Sequence, residues 1–287
     1  MRVRSVEDTW SSVPTMEGAG VHLSRAFGYD EVPRFDPFLM LDDFRSDVPE
    51  HYRLGFPWHP HRGIETITYV LAGEVAHGDS MGNKGVIGAG DVQWMTAGSG
   101  IIHQEMPQGD PKGRMYGFQL WANLPAANKM MDPRYREVKS GEIPAVKLDG
   151  GIVVRVVAGT VAGTTGPVRD IVTGPECLDV SLPQRTRFTH AVESGRNAFA
   201  YVFEGVCGFG PDGKTPAVNK TLVRFGKGDT VSVVTADTPA RFLLVTGTPL
   251  GEPVAWGGPI VMNSDAELEL AFEEYRNGTF LKHGRMK

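Results

Sequence analysis

Two pairs of residues, each at a spacing of two, offer the chemistry in this chain. His59 and His61 lie in Gly55-Phe56-Pro57-Trp58-His59-Pro60-His61-Arg62-Gly63, and His103 and Glu105 lie in Ile101-Ile102-His103-Gln104-Glu105-Met106. Successive side chains of an extended chain point to opposite faces, so residues two apart share a face and each pair can converge on one interior point. Three imidazoles and one carboxylate make a mixed nitrogen and oxygen set suited to Fe, Mn, Ni, Cu or Zn, and no thiolate is near enough in sequence to suggest a closed structural zinc site. A lone histidine in a strand is more often a hydrogen-bonded core or surface residue. Two same-face pairs change that balance, because without a metal they would bury several polar groups together with no evident partner. Glu65 has the parity to join the first pair, either as a ligand or as a carboxylate that orients an imidazole. His77 falls in a glycine-rich hairpin and reads as solvated, while His22, His51 and His283 have no partner motif and read as structural. Trp94, Met95 and Trp121 could line a pocket, although aromatic and methionine side chains in strands more often fill a core.

The elements that must position these residues read as strands. Glycine supplies 36 of 287 residues and proline another 20, where an average chain has about 7% and 5%. So much punctuation favours short strands joined by turns. The runs 66–71, 117–121, 152–157, 197–203 and 242–245 are short, β-branched or aromatic, and bounded by Gly or Pro, which predicts an all-β chain. One segment differs. Ser264 and Glu267 form a capping box, Leu268, Ala271, Phe272 and Tyr275 recur at helical spacing, and Asn277-Gly278 ends the run; this predicts one helix over 265–276, packed on the outside of a sheet. With 29 basic against 34 acidic residues the net charge is -5, so no broad basic face is available for nucleic acid. Two cysteines, Cys177 and Cys207, are too few for a disulfide scaffold. The first residues lack the apolar run of a signal peptide, and no window approaches the roughly 18 apolar residues of a membrane span, so a cytoplasmic location is expected, with the nucleus as the eukaryotic variant.

An internal repeat organises the chain. Residues 68–73, Thr-Tyr-Val-Leu-Ala-Gly, match residues 200–205, Ala-Tyr-Val-Phe-Glu-Gly, at an offset of 132, and Gly88-Ala89-Gly90-Asp91 matches Gly226-Lys227-Gly228-Asp229 at an offset of 138. A duplicated β unit follows, with the polar, proline-bearing stretch 125–147 as its linker. Laid on itself, the repeat maps His59 and His61 onto Ala191 and Glu193, and His103 and Glu105 onto Arg241 and Leu243. His190 is one residue from register and faces the other way in a regular strand. The second copy is therefore expected to bind no metal, its interior filled by Phe199, Tyr201 and Phe242.

Longer strings carry a resemblance. Phe-Pro-x-His-Pro-His-Arg-Gly-x-Glu-Thr from Phe56, Gly-Asp-x-Gln-Trp-Met-Thr-Ala-Gly-x-Gly-Ile from Gly90, Ile-His-x-Glu-Met-Pro from Ile102, the segment 117–125 and the tail segments 252–254 and 258–263 resemble pirin, of the cupin superfamily. The likeness covers most of the chain and weakens only between about 150 and 196. It implies a bicupin of two antiparallel β-barrels. Residues 1–136 would form the metal-bearing barrel, 137–147 the linker, and 148–287 a metal-free barrel that includes the helix. The family's ligands fall on His59, His61, His103 and Glu105, holding one divalent ion, with Fe(II) foremost and Mn, Ni, Cu or Zn as alternatives. The general cupin pattern would use Glu65 and an asparagine where Pro107 stands, so Glu65 moves to a supporting role.

The resemblance also implies two functions. One is a quercetin 2,3-dioxygenase, an oxidoreductase that opens a flavonol ring with dioxygen and releases carbon monoxide, with Glu105 as the base that takes the 3-hydroxyl proton. The other is a metal- or redox-dependent regulatory protein acting through contact with a protein partner, as transcriptional co-regulators do. Neither involves a membrane or direct contact with nucleic acid. No basic targeting run is present, which favours the enzyme.

Overall fold

A computed structural model describes residues 2–283, which are mostly strand with one α-helix, and no helix among them is long and apolar enough to cross a membrane. The chain divides into two compact units, each assembled from separated stretches. The first takes 14–32, 37–140 and the chain from Leu250 onward; the second takes the chain up to Val13, 33–36 and 141–249. Two expectations are corrected here. The helix packs in the first unit and not in the second, and the stretch 137–147 is not a free linker. Its two ends are paired: Arg134–Val138 forms the edge of the first unit's larger sheet, and Ala145–Lys147 pairs with Val153–Ala158 in the second unit. Strand edges carry unpaired backbone groups that seek partners, and polar, proline-bearing sequence does not prevent a short edge strand from supplying them.

The first unit contains a seven-stranded antiparallel sheet in the order Arg134–Val138, Val92–Thr96, Ile64–Ala72, Tyr116–Asn123, Phe38–Asp43, Val21–Phe27 and Val13–Glu17, and a four-stranded sheet in the order Phe56–His61, Ile101–Gln108, Glu74–Asp79 and Lys84–Ile87. Neither path returns to its first strand. The layers form an open β-sandwich instead of the closed barrel expected. Side chains from both sheets fill the space between them, with Val21, Val70, Val75 and Ile87 in one cluster and Ile64, Met95, Ile101 and Trp121 in another. Each such burial contributes about 1.5 to 3 kcal/mol before entropy is counted.

The tail of the chain belongs to this unit. Ala255–Gly257 and Ile260–Met262 pair as a hairpin, and the helix Asp265–Arg276 packs on it through Leu268 and Phe272, which leave no room for a Cβ at Gly257. The helix starts as the sequence predicts. Ser264 Oγ accepts from the Glu267 amide, and the Glu267 carboxylate accepts from the Ser264 amide at 3.0 Å.

The second unit is a ten-stranded sheet folded over a core that includes Phe188, Val202, Phe209 and Phe242. Phe199 and Tyr201, expected in that interior, alternate onto the opposite face, where Phe199 meets Phe35 and the Tyr201 hydroxyl meets Ser12. Strand Val6–Ser11 completes this unit by pairing with Thr221–Phe225.

The repeated strands hold equivalent places. Ile64–Ala72 lies between Val92–Thr96 and Tyr116–Asn123, as the first part of Asn197–Phe209 lies between Thr221–Phe225 and Ala240–Gly247. Gly73 (φ +78°) and Gly205 (φ +72°) sit where each chain swings into its next strand pairing, and a Cβ at either would strike a backbone oxygen. The second match does not hold. Thr230–Val234 pairs with Arg187–Ala191 as Ile101–Gln108 pairs with Phe56–His61, so the turn 226–229 stands where 97–100 does. The two Gly-x-Gly-Asp turns thus sit at different corners, and a short turn motif fixes no register.

Candidate metal centre

Strands Phe56–His61 and Ile101–Gln108 are antiparallel neighbours in the four-stranded sheet, with His59 directly opposite His103 and His61 opposite Ile101. The spacing of two puts His59 and His61 on one face, and the register brings the His103 ring within 4.4 Å of His59 and 5.0 Å of His61. One donor nitrogen from each of the three lies within 4.8 Å of the other two. A register shift between His103 and Glu105 sets Glu105 opposite Phe56, and Glu105 stands outside that group of three. It is buried beside it, with Oε1 accepting from Thr68 Oγ1 at 2.9 Å and Oε2 from Gln119 Nε2 at 2.9 Å. Gln119 is itself oriented by the Trp121 indole, whose Nε1 donates to Oε1 at 3.1 Å.

Hydrogen bonding fixes the tautomers. A carbonyl oxygen only accepts, so His59 Nδ1 donates to Pro57 O at 2.8 Å and His61 Nδ1 donates to Pro259 O at 3.0 Å. Both Nε2 atoms then carry lone pairs, and they face each other at 3.1 Å. His103 is fully buried with neither ring nitrogen hydrogen-bonded. Burial, reinforced by neighbouring histidines, holds the pKa values of His61 and His103 well below the ordinary imidazole value. Neutral imidazoles are the ligand form, and His61 and His103 are held in it. A cation bound between the two Nε2 atoms would take up both lone pairs. This donor set fits a divalent first-row metal ion.

The tail builds one wall. Besides the Pro259 carbonyl, it supplies Val261 O to the ammonium of Lys129, which also donates to Gly63 O and Asn123 Oδ1 at 2.7 to 2.9 Å. Arg62, the residue after His61, is 2% exposed and bonds Ser99 O and Phe280 O, pairs with Glu274 at 2.7 Å and lies 4.2 Å over the Phe280 ring. The turn between them requires Gly63: its φ is +77°, and any Cβ would sit 2.0 Å from Val261 O.

The histidines open onto a cavity of about 520 Å³, lined by His59, His61, Gln119, Trp121, Trp256 and Arg25 among others. Sequence reading missed most of this lining. Gln119 shares parity with Trp121 and so could have been found; Trp256 and Pro259 lie almost two hundred residues from His61 and carry no local signal.

Two readings of single residues change. Glu65 does not orient an imidazole; it is buried, accepts from Thr96 Oγ1 at 2.7 Å, and burial raises its pKa. The strand ends at the Gly63 turn, so parity does not carry across from His61. His77, expected in solvent, is 5% exposed, stacks on Tyr135 and pairs with Asp79 at 3.3 Å, because its hairpin strand is an inner member of the four-stranded sheet. Trp94 is core, whereas Trp121 serves both the core and the cavity. His22 and His51 stack on each other, and His283 pairs with Asp132.

The family profile described as Pirin matches residues 20–122, and that of the Pirin C-terminal cupin domain matches 177–281. The chain belongs to the pirin family. A pirin-like protein of Caulobacter vibrioides is 47% identical over 286 residues, spanning 98% of this chain and all of its own. A protein of Pseudomonas aeruginosa named as a candidate quercetin 2,3-dioxygenase is 41% identical over 281 residues, covering 96% of this chain and 98% of its own. Among solved structures, a quercetin 2,3-dioxygenase of Acinetobacter baumannii superposes with a TM-score of 0.89 at 31% identity, over 97% of this pirin and 98% of that chain. The fold of this pirin is thus that of a bicupin, with a three-histidine group that could hold a metal in its first unit.

Proposed function

We propose that this pirin is a metal-dependent quercetin 2,3-dioxygenase whose ion, Fe(II) in the first instance, is held by His59, His61 and His103 with Glu105 as the fourth ligand or the adjacent base. The observation that carries this reading is the pair of opposed imidazole lone pairs beside a buried carboxylate, opening on an aromatic-walled cavity. The likeness to the Acinetobacter and Pseudomonas proteins supports the substrate class. A divalent ion there would supply Lewis acidity toward a bound hydroxyl and a meeting point for the flavonol and dioxygen.

The chain's own residues supply the rest. Glu105 takes the proton of the flavonol 3-hydroxyl, turning a weak donor of electrons into an electron-rich flavonolate. Thr68 and Gln119 each occupy one carboxylate oxygen, so Glu105 is held in place rather than free to rotate. Trp121 and Trp256 offer flat apolar surface to the ring system, and His59 and His61, committed to carbonyls through Nδ1, present Nε2 inward without rearrangement. Ring opening then consumes one dioxygen and releases carbon monoxide.

Oxygen uptake with quercetin tests the reading. Metal-loaded protein should consume oxygen and bleach quercetin, chelated protein should not, and Glu105→Gln should lower turnover by on the order of 100-fold or more with metal content retained. A loaded wild type that consumes no oxygen with any flavonol removes the proposal.

A further inference from the structure

The cavity floor is a patterned piece of sheet. Three adjacent strands, Tyr116–Asn123, Phe38–Asp43 and Val21–Phe27, pair so that Thr68, Gln119, Asp42 and Arg25 stand directly opposite one another in sequence across four strands, beginning with the Thr68 neighbour on Ile64–Ala72. Two residues along, Thr66, Trp121 and Met40 form the next row on the same face. The floor is therefore polar on one side and apolar on the other.

Each row has a direction. The polar row starts at Glu105, through Thr68 and Gln119, and ends at Arg25, which grips Asp42 with two bonds of 2.8 Å and meets Glu17 at 3.0 Å. Over the apolar side an aromatic series starts beside His61, whose ring lies 5.0 Å from Trp121, continues to Trp256 at 5.9 Å and ends at Tyr29, 5.5 Å farther and 66% exposed. A flat ligand lying against the tryptophans thus has one end at the histidines and one edge along the polar row, with its far end at Arg25 and Glu17. Two carboxylates against one guanidinium leave that end net negative, which disfavours an anionic group and favours hydroxyls that can donate to carboxylate. Asp42 is nearly buried and held by the bidentate pair, so the cluster is a fixed feature and not a mobile rim.

Resting on the flavonol reading above, we infer that Glu17, Arg25 and Asp42 form a second recognition point that selects planar ligands bearing a hydroxyl on the ring remote from the metal-binding hydroxyl. Glu17 is the accessible acceptor, at 44% exposed, and its replacement leaves the Arg25–Asp42 pair intact.

The test compares quercetin, hydroxylated on both outer rings, with 3-hydroxyflavone, which keeps only the 3-hydroxyl. Titration calorimetry on the chelated protein reads binding without turnover. Wild type should bind quercetin about 10-fold or more tightly than 3-hydroxyflavone, because a site built to bond a hydroxyl rejects the analogue lacking it. Glu17→Gln should bring the two within about 3-fold by weakening quercetin alone, while Glu50→Gln, an exposed carboxylate outside the cavity lining, should keep the wild-type ratio. Equal affinities in wild type, or an unchanged ratio in Glu17→Gln, overturns the inference. Should the loaded enzyme consume no oxygen while the binding preference holds, the dioxygenase reading falls and the recognition point stands; turnover without the preference removes the recognition point and leaves the dioxygenase reading in place.

Discussion

His59 and His61 hold Nε2 against Nε2 at 3.1 Å. The arrangement stays because Pro57 O and Pro259 O fix the far nitrogens, and because His103, buried with both nitrogens unbonded, completes a triangle that a cation satisfies. On the proposed reading each histidine is necessary to the ion but not to the sandwich, whose core lies elsewhere. His59→Ala and His103→Ala proteins should lose bound metal by elemental analysis while keeping a cooperative thermal transition; full occupancy in both would dismiss the set. This much is legible from spacing, since parity along one strand is a local rule. Glu65 and His77 are misread for a common reason. Their surroundings depend on a turn at Gly63 and on a sheet partner thirty residues away, neither of which parity reports.

At the scale of elements, the hairpin and helix after Leu250 act on the site through Lys129 and Arg62. Lys129 donates to three oxygens from three segments, and burial lowers its pKa from 10.5 to about 7. The unfolded chain recovers the ordinary value, so between those two pH values it binds more protons than the folded chain and stability rises with pH. Below pH 7 both states are charged and this contribution is flat. The difference in melting temperature between wild type and Lys129→Met should therefore widen in favour of wild type between pH 7 and 9, with Lys129→Met lower throughout because three acceptors lose their donor, at about 1 to 3 kcal/mol for each buried group left unpaired. A difference that does not vary with pH would show that Lys129 is charged across the range. The helix itself was readable to the residue from its capping box and spacing. Its partner was not, because an amphipathic stripe says that a face is buried and never says against what.

On the scale of the whole molecule, duplication is visible in sequence and its products have diverged in register as well as in residue type. Thr189 faces Ser232 as His59 faces His103, and Ala191 stands where His61 does. No imidazole remains at those places; His190 is turned to Glu176 at 3.0 Å. Metal content should saturate near one equivalent per chain and stay there in His190→Ala, whereas a second equivalent that disappears on that substitution would return a site to the second unit. The crossing of the termini carries a consequence for synthesis. The histidines at 59, 61 and 103 are made well before the Pro259 carbonyl that sets His61, and strand Val6–Ser11 waits for Thr221–Phe225. Each unit thus includes pairings distant in sequence, and such pairings form slowly. A nascent chain that has not reached Pro259 therefore carries three histidines without the geometry that would make them a ligand set, so metal capture would wait for that residue.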